Sequence, residues 1–445
     1  MNFNQLKLLL QDHQYKELKS ALSEMNEVDI AQFLSELPQD LMVYVFRALD
    51  KDTASDVFAE LPVDIQQQII LSITDQELSV IIEALAVDDA VDMLGEMPSN
   101  VVTRVLRNAK SDTRKEINQF LNYPDNSAGS VMTAEFTDLK KDMSVKDAIA
   151  HIRSTGEDRE TIYNCYVIDS SRKLLGEITV KTLLLAPDTA IVGDLMETSV
   201  ICVNTLEDQE EAARLLDKYN LLALPVVDSE NRLVGIITID DAVNVIRQET
   251  TEDFQVMAAT APSEQSYLKT SVWVLARNRI VWLLVLMISD MISGGILGSF
   301  EGALTALPVL ITFIPMLTDT GGNAGSQAST LIIRGLALKE ITVHDFFPVL
   351  WKEIRVAVLC GAVLSLFNYI RLIIVYPGQF AMAATVAAAM FCTVLMAKAT
   401  GGILPLIATR FKMDPALMAS PLITTIVDAG SLLIYLNIAR ICLHL

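Results

Sequence analysis

Three hydrophobic textures follow one another along the chain. From Phe3 to about Leu121 apolar residues recur at helical spacing. Leu41 to Leu49 reads LMVYVFRAL and Ile65 to Ile73 reads IQQQIILSI, with apolar positions three or four apart. The breaks repeat as well: Glu36-Leu37-Pro38, Glu60-Leu61-Pro62 and Glu96-Met97-Pro98. Proline opens a helix where its missing N–H is no loss. The spacing therefore predicts a superhelix of antiparallel helices. From Ser130 the pattern changes to short strand-like runs between polar turns, and it repeats. Val131 to Thr133 (VMT) returns as LMET from Leu195, and YVIDSSRKLLGEITV (Tyr166 to Val180) returns as PVVDSENRLVGIITI (Pro225 to Ile239). An amphipathic helix before each strand pair gives two copies of a β-α-β-β-α unit. Beyond Lys269 the apolar runs lengthen to about 20 residues, enough to cross a bilayer. Spans are predicted at Ile280 to Leu297, Ala303 to Gly335, Val356 to Val375, Phe380 to Ala408 and Ala416 to Ile438.

Charge divides at the same place. The 445 residues carry 55 acidic and 34 basic side chains, a net −21. Residues 1–268 hold 47 acids and 22 bases, whereas 269–445 hold 8 and 12. So acidic a chain is a poor partner for nucleic acid, and its apolar runs exclude a wholly soluble protein. Met1 to Gln14 lacks the basic start and apolar core of a secretion signal, which argues against export. Five cysteines without CxxC spacing read as reduced packing residues. The connections Arg334 to Arg355 and Arg410 to Lys412 are basic, as is Lys269 to Arg279. They predict a cell-membrane protein with its N-terminus in the cytoplasm and its C-terminus outside.

Two of the spans carry chemistry. The second runs PMLTDTGGNAGSQAS from Pro315 to Ser329, too polar to face lipid. Asn323 and Gln327 offer oxygens to a water-filled path, while Gly321, Gly322 and Gly325 suit either close helix packing or a loosened helix. The fifth holds Asp428 near its middle, with Thr424 and Thr425 on or beside the same face. An ionisable group at that depth is by default functional. Oxygen-rich surroundings without a thiolate or histidine cluster suit a hard divalent ion such as Mg2+, which keeps much of its water.

Two resemblances sharpen this picture. The repeated β-α-β-β-α unit resembles a tandem of cystathionine-β-synthase (CBS) domains, with GIITIDD (Gly235 to Asp241) close to that family's strand-to-helix signature. The resemblance implies a nucleotide ribose site, with ATP as a candidate ligand, at Thr238 and Asp241. The first copy has Thr179 and Thr182 there, and a pure scaffold remains the alternative. Along nearly its whole length the chain resembles the MgtE magnesium channel family, on the motifs GGNAGSQ in span two and DPALMASPLITTIVDAGSLLIYL (Asp414 to Leu436) in span five. That resemblance implies a multi-domain membrane protein: an all-α superhelical N domain (1–125), α/β tandem CBS domains (126–246), a connecting plug helix (247–268) and a five-helix transmembrane domain (269–445). It further implies a homodimer whose pore holds hydrated Mg2+ at Asp428. Cytosolic Mg2+ sites would lie at Glu60, Asp88 and Asp92, at Asp208, Glu210 and Asp241, and at Glu249, Glu252 and Asp253. These would close the gate when the ion is plentiful. Asn220 and Asn244 replace expected aspartates.

Asp290, Asp319 and Lys398 depart from the family pattern; a Lys398–Asp319 ion pair is expected from their approximate depths, with an ion-path role for Asp319 as the alternative. The competing function is a membrane-anchored CBS sensor of divalent cation or nucleotide that signals to a partner without transport. An enzyme is not expected: His13, His151, His344 and His444 are isolated, and no nucleophile stands beside a base or phosphate loop.

Overall fold

The computed structural model describes residues 3–263, 267–268 and 270–444, in two compact units, 1–246 and 247–445. The first opens with the helices α1 (Phe3–Gln11), α2 (Tyr15–Leu22), α3 (Glu27–Ser35), α4 (Gln39–Ala48), α5 (Lys51–Ala59), α6 (Val63–Ser72), α7 (Asp75–Ala84), α8 (Val87–Gly95), α9 (Ser99–Asn108) and α10 (Ser111–Phe120). Pro38, Pro62 and Pro98 occupy the N-cap, one position earlier than a first helical residue, at φ of −59°, −54° and −59°. Other starts use side-chain caps. Thr74 and Glu77 form a reciprocal capping box, and Asp50 accepts a hydrogen bond from the Thr53 N–H at 3.1 Å. Phe33, Phe58, Ile69, Ile70 and Leu78 are fully buried. The core they build continues into Val203, Ala212, Leu216 and Leu224 of the second β-α-β-β-α copy.

The tandem folds as the repeat predicts. The first copy is β1 (Phe136–Lys140), α11 (Val145–Thr155), β2 (Thr161–Ile168), β3 (Leu174–Thr179) and α12 (Val180–Leu185), followed by a short α13 (Val192–Leu195). The second is β4 (Val203–Asn204), α14 (Gln209–Tyr219), β5 (Ala223–Val227), β6 (Leu233–Thr238) and α15 (Ile239–Met257). In each sheet the first two strands are parallel and the last two antiparallel. The copies also exchange segments. Thr133 bridges to Ile236 and Glu197 to Glu177. A Cβ on Gly235 would stand 2.9 Å from Met132 Sδ, and one on Gly176 2.9 Å from Met196 Sδ. The repeated Met-containing motif thus packs on the glycine of the opposite copy.

Two expectations for the second unit are corrected. The helix predicted over 247–268 is the C-terminal half of α15, which starts at Ile239 and ends at Met257; 264–266 of that prediction lie outside the described residues. It is continuous with the last CBS helix because no breaker intervenes before residue 258; Pro262 lies beyond it. The second span is interrupted. After α16 (Val272–Ser299) come α17 (Glu301–Ala306), a 3-10 segment Pro308–Phe313 and α18 (Ile314–Ala337). Leu307 leaves helical geometry at φ −137°, ψ 78°, since the residue before a proline is pushed out of the α region. Then follow α19 (Phe346–Val375), α20 (Phe380–Arg410) and α21 (Ser420–Leu443). Among the described residues, four segments, containing α16, α19, α20 and α21, are long and apolar enough to cross a membrane. α18 is not among them, being sheltered by α20 and α21 rather than apolar.

Candidate functional site

Glycine lets α18 settle between its neighbours. A Cβ on Gly321 would lie 2.8 Å from Thr393 Cγ2 and 2.9 Å from Ser431 Oγ, and one on Gly322 would lie 2.8 Å from Thr424 Cγ2. Gly325 is equally close to Ile423 Cγ2. Of the two roles open to these glycines, close packing is the one observed, since α18 runs unbroken through them. The opposite side of α18 is polar and exposed: Asp319, Asn323 and Gln327 follow at four-residue intervals. A helix with one face locked in protein and the other polar cannot be turned to lipid.

Asp428 stands on α21 at the level of Gly321, since Val427 and Ser431 both reach that glycine. It is partly buried, and the charges acting on it come from Asp290 of α16 and Asp319 of α18. Thr424 and Thr425 each donate a hydroxyl proton to the Pro421 carbonyl, at 2.9 and 3.1 Å. With its proton spent on its own helix, the Thr425 hydroxyl presents an oxygen acceptor to a cation or its water.

The Lys398–Asp319 pair is not formed. Lys398 is 6 % exposed, yet the salt bridges among the described residues do not include it. Register explains why. Gly321 meets Thr393, Gly325 meets Ala397, and Gly401 meets Gly325 and Ala328, so α18 and α20 run parallel. Lys398 is therefore level with Ser326, seven residues past Asp319, or about 10 Å at 1.5 Å per residue.

A second concentration of acid lies within the first unit. Asp88, Asp89 and Asp92 share α8 with buried Val87, Ala90, Val91 and Leu94. Desolvation, then the charges of Asp89 and Asp241, raise Asp88 to about 8. Desolvation with Asp89, Asp241 and Glu96 raises Asp92 to about 7. Asp89 rises to about 6 through desolvation and the charges of Asp241, Glu60, Glu135 and Asp240, although the residue keeps an exposed surface. Glu160 and Asp241 are also raised, burial first. One oxygen of Asp88, Oδ1, is buried without a hydrogen-bond partner among the described residues. The structure thus brings the predicted Glu60, Asp88, Asp92 and Asp241 into one field, together with Asp89, Glu135, Glu160 and Asp240, which the sequence reading missed. The adjacent pair Asp88-Asp89 was the available signal. Among the described residues, no three His, Cys, Asp or Glu side chains converge as a finished coordination sphere.

The remaining predicted residues have separate settings. Asp208 caps α14, accepting from the Glu210 N–H at 2.8 Å. Thr238 Oγ1 donates to Asp241 Oδ2 at 2.6 Å, while the corresponding Thr179 and Thr182 hydroxyls lie 3.0 Å apart. Glu249, Glu252 and Asp253 share the second half of α15. Burial and the charges of Asp414, Glu249 and Glu252 raise Asp253 to about 6, with Arg334 opposing. Val256 and Met257 of α15 pack on Ile333, Ala416 and Ala419. Asn220 is the left-handed C-cap of α14 at φ 52°, a position asparagine tolerates well.

Residues 314–438 match the family model of the MgtE divalent cation transporter, 25–126 match the MgtE intracellular N domain, and 128–188 and 192–248 match the CBS domain. The magnesium transporter MgtE of Bacillus subtilis is 33 % identical over 437 residues, 98 % of this chain and 96 % of that one. That of Thermus thermophilus is 33 % identical over 438 residues, covering 98 % and 97 %. A crystal structure of the cytosolic domain of the Mg2+ channel MgtE in complex with ATP is 32 % identical, covers 55 % of this chain and all of that one, and superimposes with a TM-score of 0.53.

Proposed function

The chain belongs to the MgtE family, and from that membership we infer that it is a magnesium-selective channel through which Mg2+ enters the cell, gated by Mg2+ on its cytosolic side. It is a multi-pass membrane transporter rather than an enzyme. The observation that carries the reading is Asp428, partly buried on α21 with Thr424 and Thr425, on a helix that packs against α18, whose other face is polar and exposed. A membrane-anchored sensor needs neither feature. The polar face formed by Asp319, Asn323 and Gln327 requires a partner other than lipid, and a second copy of the chain, closing a wet path on a two-fold axis, meets that need.

Gating rests on the cytosolic acids. Asp88, Asp89, Asp92 and Asp241 are crowded without basic partners of their own among the described residues, so a divalent ion would stabilise the arrangement that brings them together. Glu249, Glu252 and Asp253 would act likewise on α15, Asp208 and Glu210 at the start of α14. Asp253 faces the charge of Arg334 at the cytoplasmic end of α18, so an ion bound there bears directly on the path. A nucleotide at the second CBS copy would use Thr238 and Asp241, by likeness to the ATP-bound cytosolic domain. In proteoliposomes, Asp428→Asn is expected to abolish selective Mg2+ uptake while the protein still elutes as the wild type does. Undiminished selective uptake would refute the assignment.

A further inference from the structure

The chain turns twice beyond α16. Phe300 leaves helical geometry at φ −111°, ψ 17°, and Leu307 leaves it again before Pro308. The end of α16, α17 and the 3-10 segment Pro308–Phe313 therefore fold back on one another, and a cavity of about 380 Å³ lies among them. Its apolar walls are Leu297, Leu304, Pro308 and Ile311. Leu297 and Leu304 pack on the apolar core of the membrane unit, which holds that side in place, whereas Ile311 is exposed. Gly298 also lines the cavity, and a Cβ there would meet nothing within 4 Å. The walls continue into the exposed surface of α16, where Met291 and Ile292 stand bare.

Two of the lining residues have polar side chains, Glu301 and Thr305. The Thr305 hydroxyl donates to the Glu301 carbonyl at 2.8 Å, which leaves its oxygen, like the carboxylate, to accept. Glu301 takes part in no ion pair among the described residues. Arg371, near the end of α19, is turned to Asn368 instead, donating to its Oδ1 at 3.2 and 3.0 Å. Depth follows from α16. Its basic end carries Arg277 and Arg279, and the apolar run from Ile280 to Leu297 rises about 27 Å, close to the hydrocarbon thickness of about 30 Å. Glu301 comes four residues later, where hydrocarbon gives way to headgroups.

We propose that this cavity is a site for an aminophospholipid, with acyl methylenes against Leu297, Leu304 and Ile311 and the primary ammonium of the headgroup at Glu301 and Thr305. Apolar walls with a few convergent polar groups are the usual make-up of a site for a small amphiphile. The sign of the charge chooses the headgroup. A carboxylate attracts an ammonium and repels an anionic lipid, the reverse of the basic clusters that draw anionic lipids to a membrane face. The second acceptor narrows the choice, because ethanolamine brings N–H donors to both oxygens and choline brings none. Continuity of the walls with the exposed, apolar side of α16 favours a lipid over a second copy of the chain as the occupant.

The test is native mass spectrometry of the full chain, delipidated and then offered equal amounts of phosphatidylethanolamine, phosphatidylcholine and phosphatidylglycerol with the same acyl chains. The wild type is expected to retain the ethanolamine lipid over the glycerol lipid about fivefold, the scale of one charge near a membrane surface, with the choline lipid between them. Glu301→Gln should bring that ratio within about twofold of unity, and Glu301→Lys should invert it. Gly298→Leu, which fills the cavity without meeting a neighbour, should abolish the preference while the protein elutes as the wild type does. Should Gly298→Leu fail to fold, the two Glu301 variants decide. An ethanolamine preference unchanged in Glu301→Gln and Gly298→Leu, or absent from the wild type, would overturn the site. A change of oligomeric mass in Gly298→Leu would give the cavity to a second copy and overturn it as well.

Discussion

The two units handle acid in opposite ways. In the first, carboxylates are numerous, and Asp88, Asp89 and Asp92 crowd one helix where burial and neighbouring acids raise all three. In the second, residues 269–445 hold only 8 acids, and Asp428 stands partly buried near the middle of the largely apolar helix α21. Raised by burial, the first set changes charge readily near neutral pH and is adjustable, whereas an acid at membrane depth is costly and specific. A sensor benefits from many weak and reversible sites, and a filter from few that cannot relax.

This contrast is open to attack through pH. Asp88, Asp89 and Asp92 titrate at about 8, 6 and 7 in the folded protein against 3.8 for a free carboxyl. A raised folded value means that their contribution to stability is whole below about pH 4 and is lost as pH rises through 6 to 8. Without divalent ions, the melting temperature and protease resistance of residues 1–268 should therefore fall between pH 5 and pH 8. Millimolar Mg2+ should restore both, and more strongly at pH 8 than at pH 5, because protons and the ion compete for the same oxygens. A flat profile without Mg2+ would mean that these acids are merely a solvated face.

A smaller effect probes the membrane unit. Since Lys398 is level with Ser326 and not with Asp319, the changes Lys398→Met and Asp319→Leu should combine additively, within about 0.5 kcal/mol. Thermal melts of the two single variants and the double variant give the coupling, and a value above about 1 kcal/mol would restore the ion pair. Smaller still is the effect expected at Asn220. Asn220→Ala should cost about 1 kcal/mol, through the left-handed backbone it must adopt, while Asn220→Gly should be nearly neutral. Equal losses would show that the asparagine side chain, rather than its backbone, matters.

Much of this was legible in the sequence. Periodicity and repeats exposed the helical superhelix, the two β-α-β-β-α copies and the apolar helices, because each obeys a local rule. The polarity of Pro315 to Ser329 marked α18, and Asp428 stood out by depth alone. What escaped depends on long-range register. That Lys398 misses Asp319 follows from the parallel offset of α18 and α20, set by the Gly321–Thr393 and Gly325–Ala397 contacts. Asp89 and Asp240 stand beside Asp88 and Asp241 in the sequence, whereas Glu135 and Glu160 join the acidic field because the fold brings distant segments together. Asp414 joins Asp253 for the same reason. The interruption at Leu307 was foreshadowed by Pro308 but was hidden by apolar residues on both sides.

The central claim is that the crowded cytosolic acids read the ion that passes Asp428. It is tested most directly by Mg2+ uptake into proteoliposomes as Mg2+ is varied on the cytosolic face alone, for the wild type and for the triple variant Asp88→Asn, Asp92→Asn, Asp241→Asn. Millimolar cytosolic Mg2+ should slow the wild type severalfold and leave the triple variant open, with half-saturation by external Mg2+ unchanged between them. Equal slowing of both proteins would contradict the account.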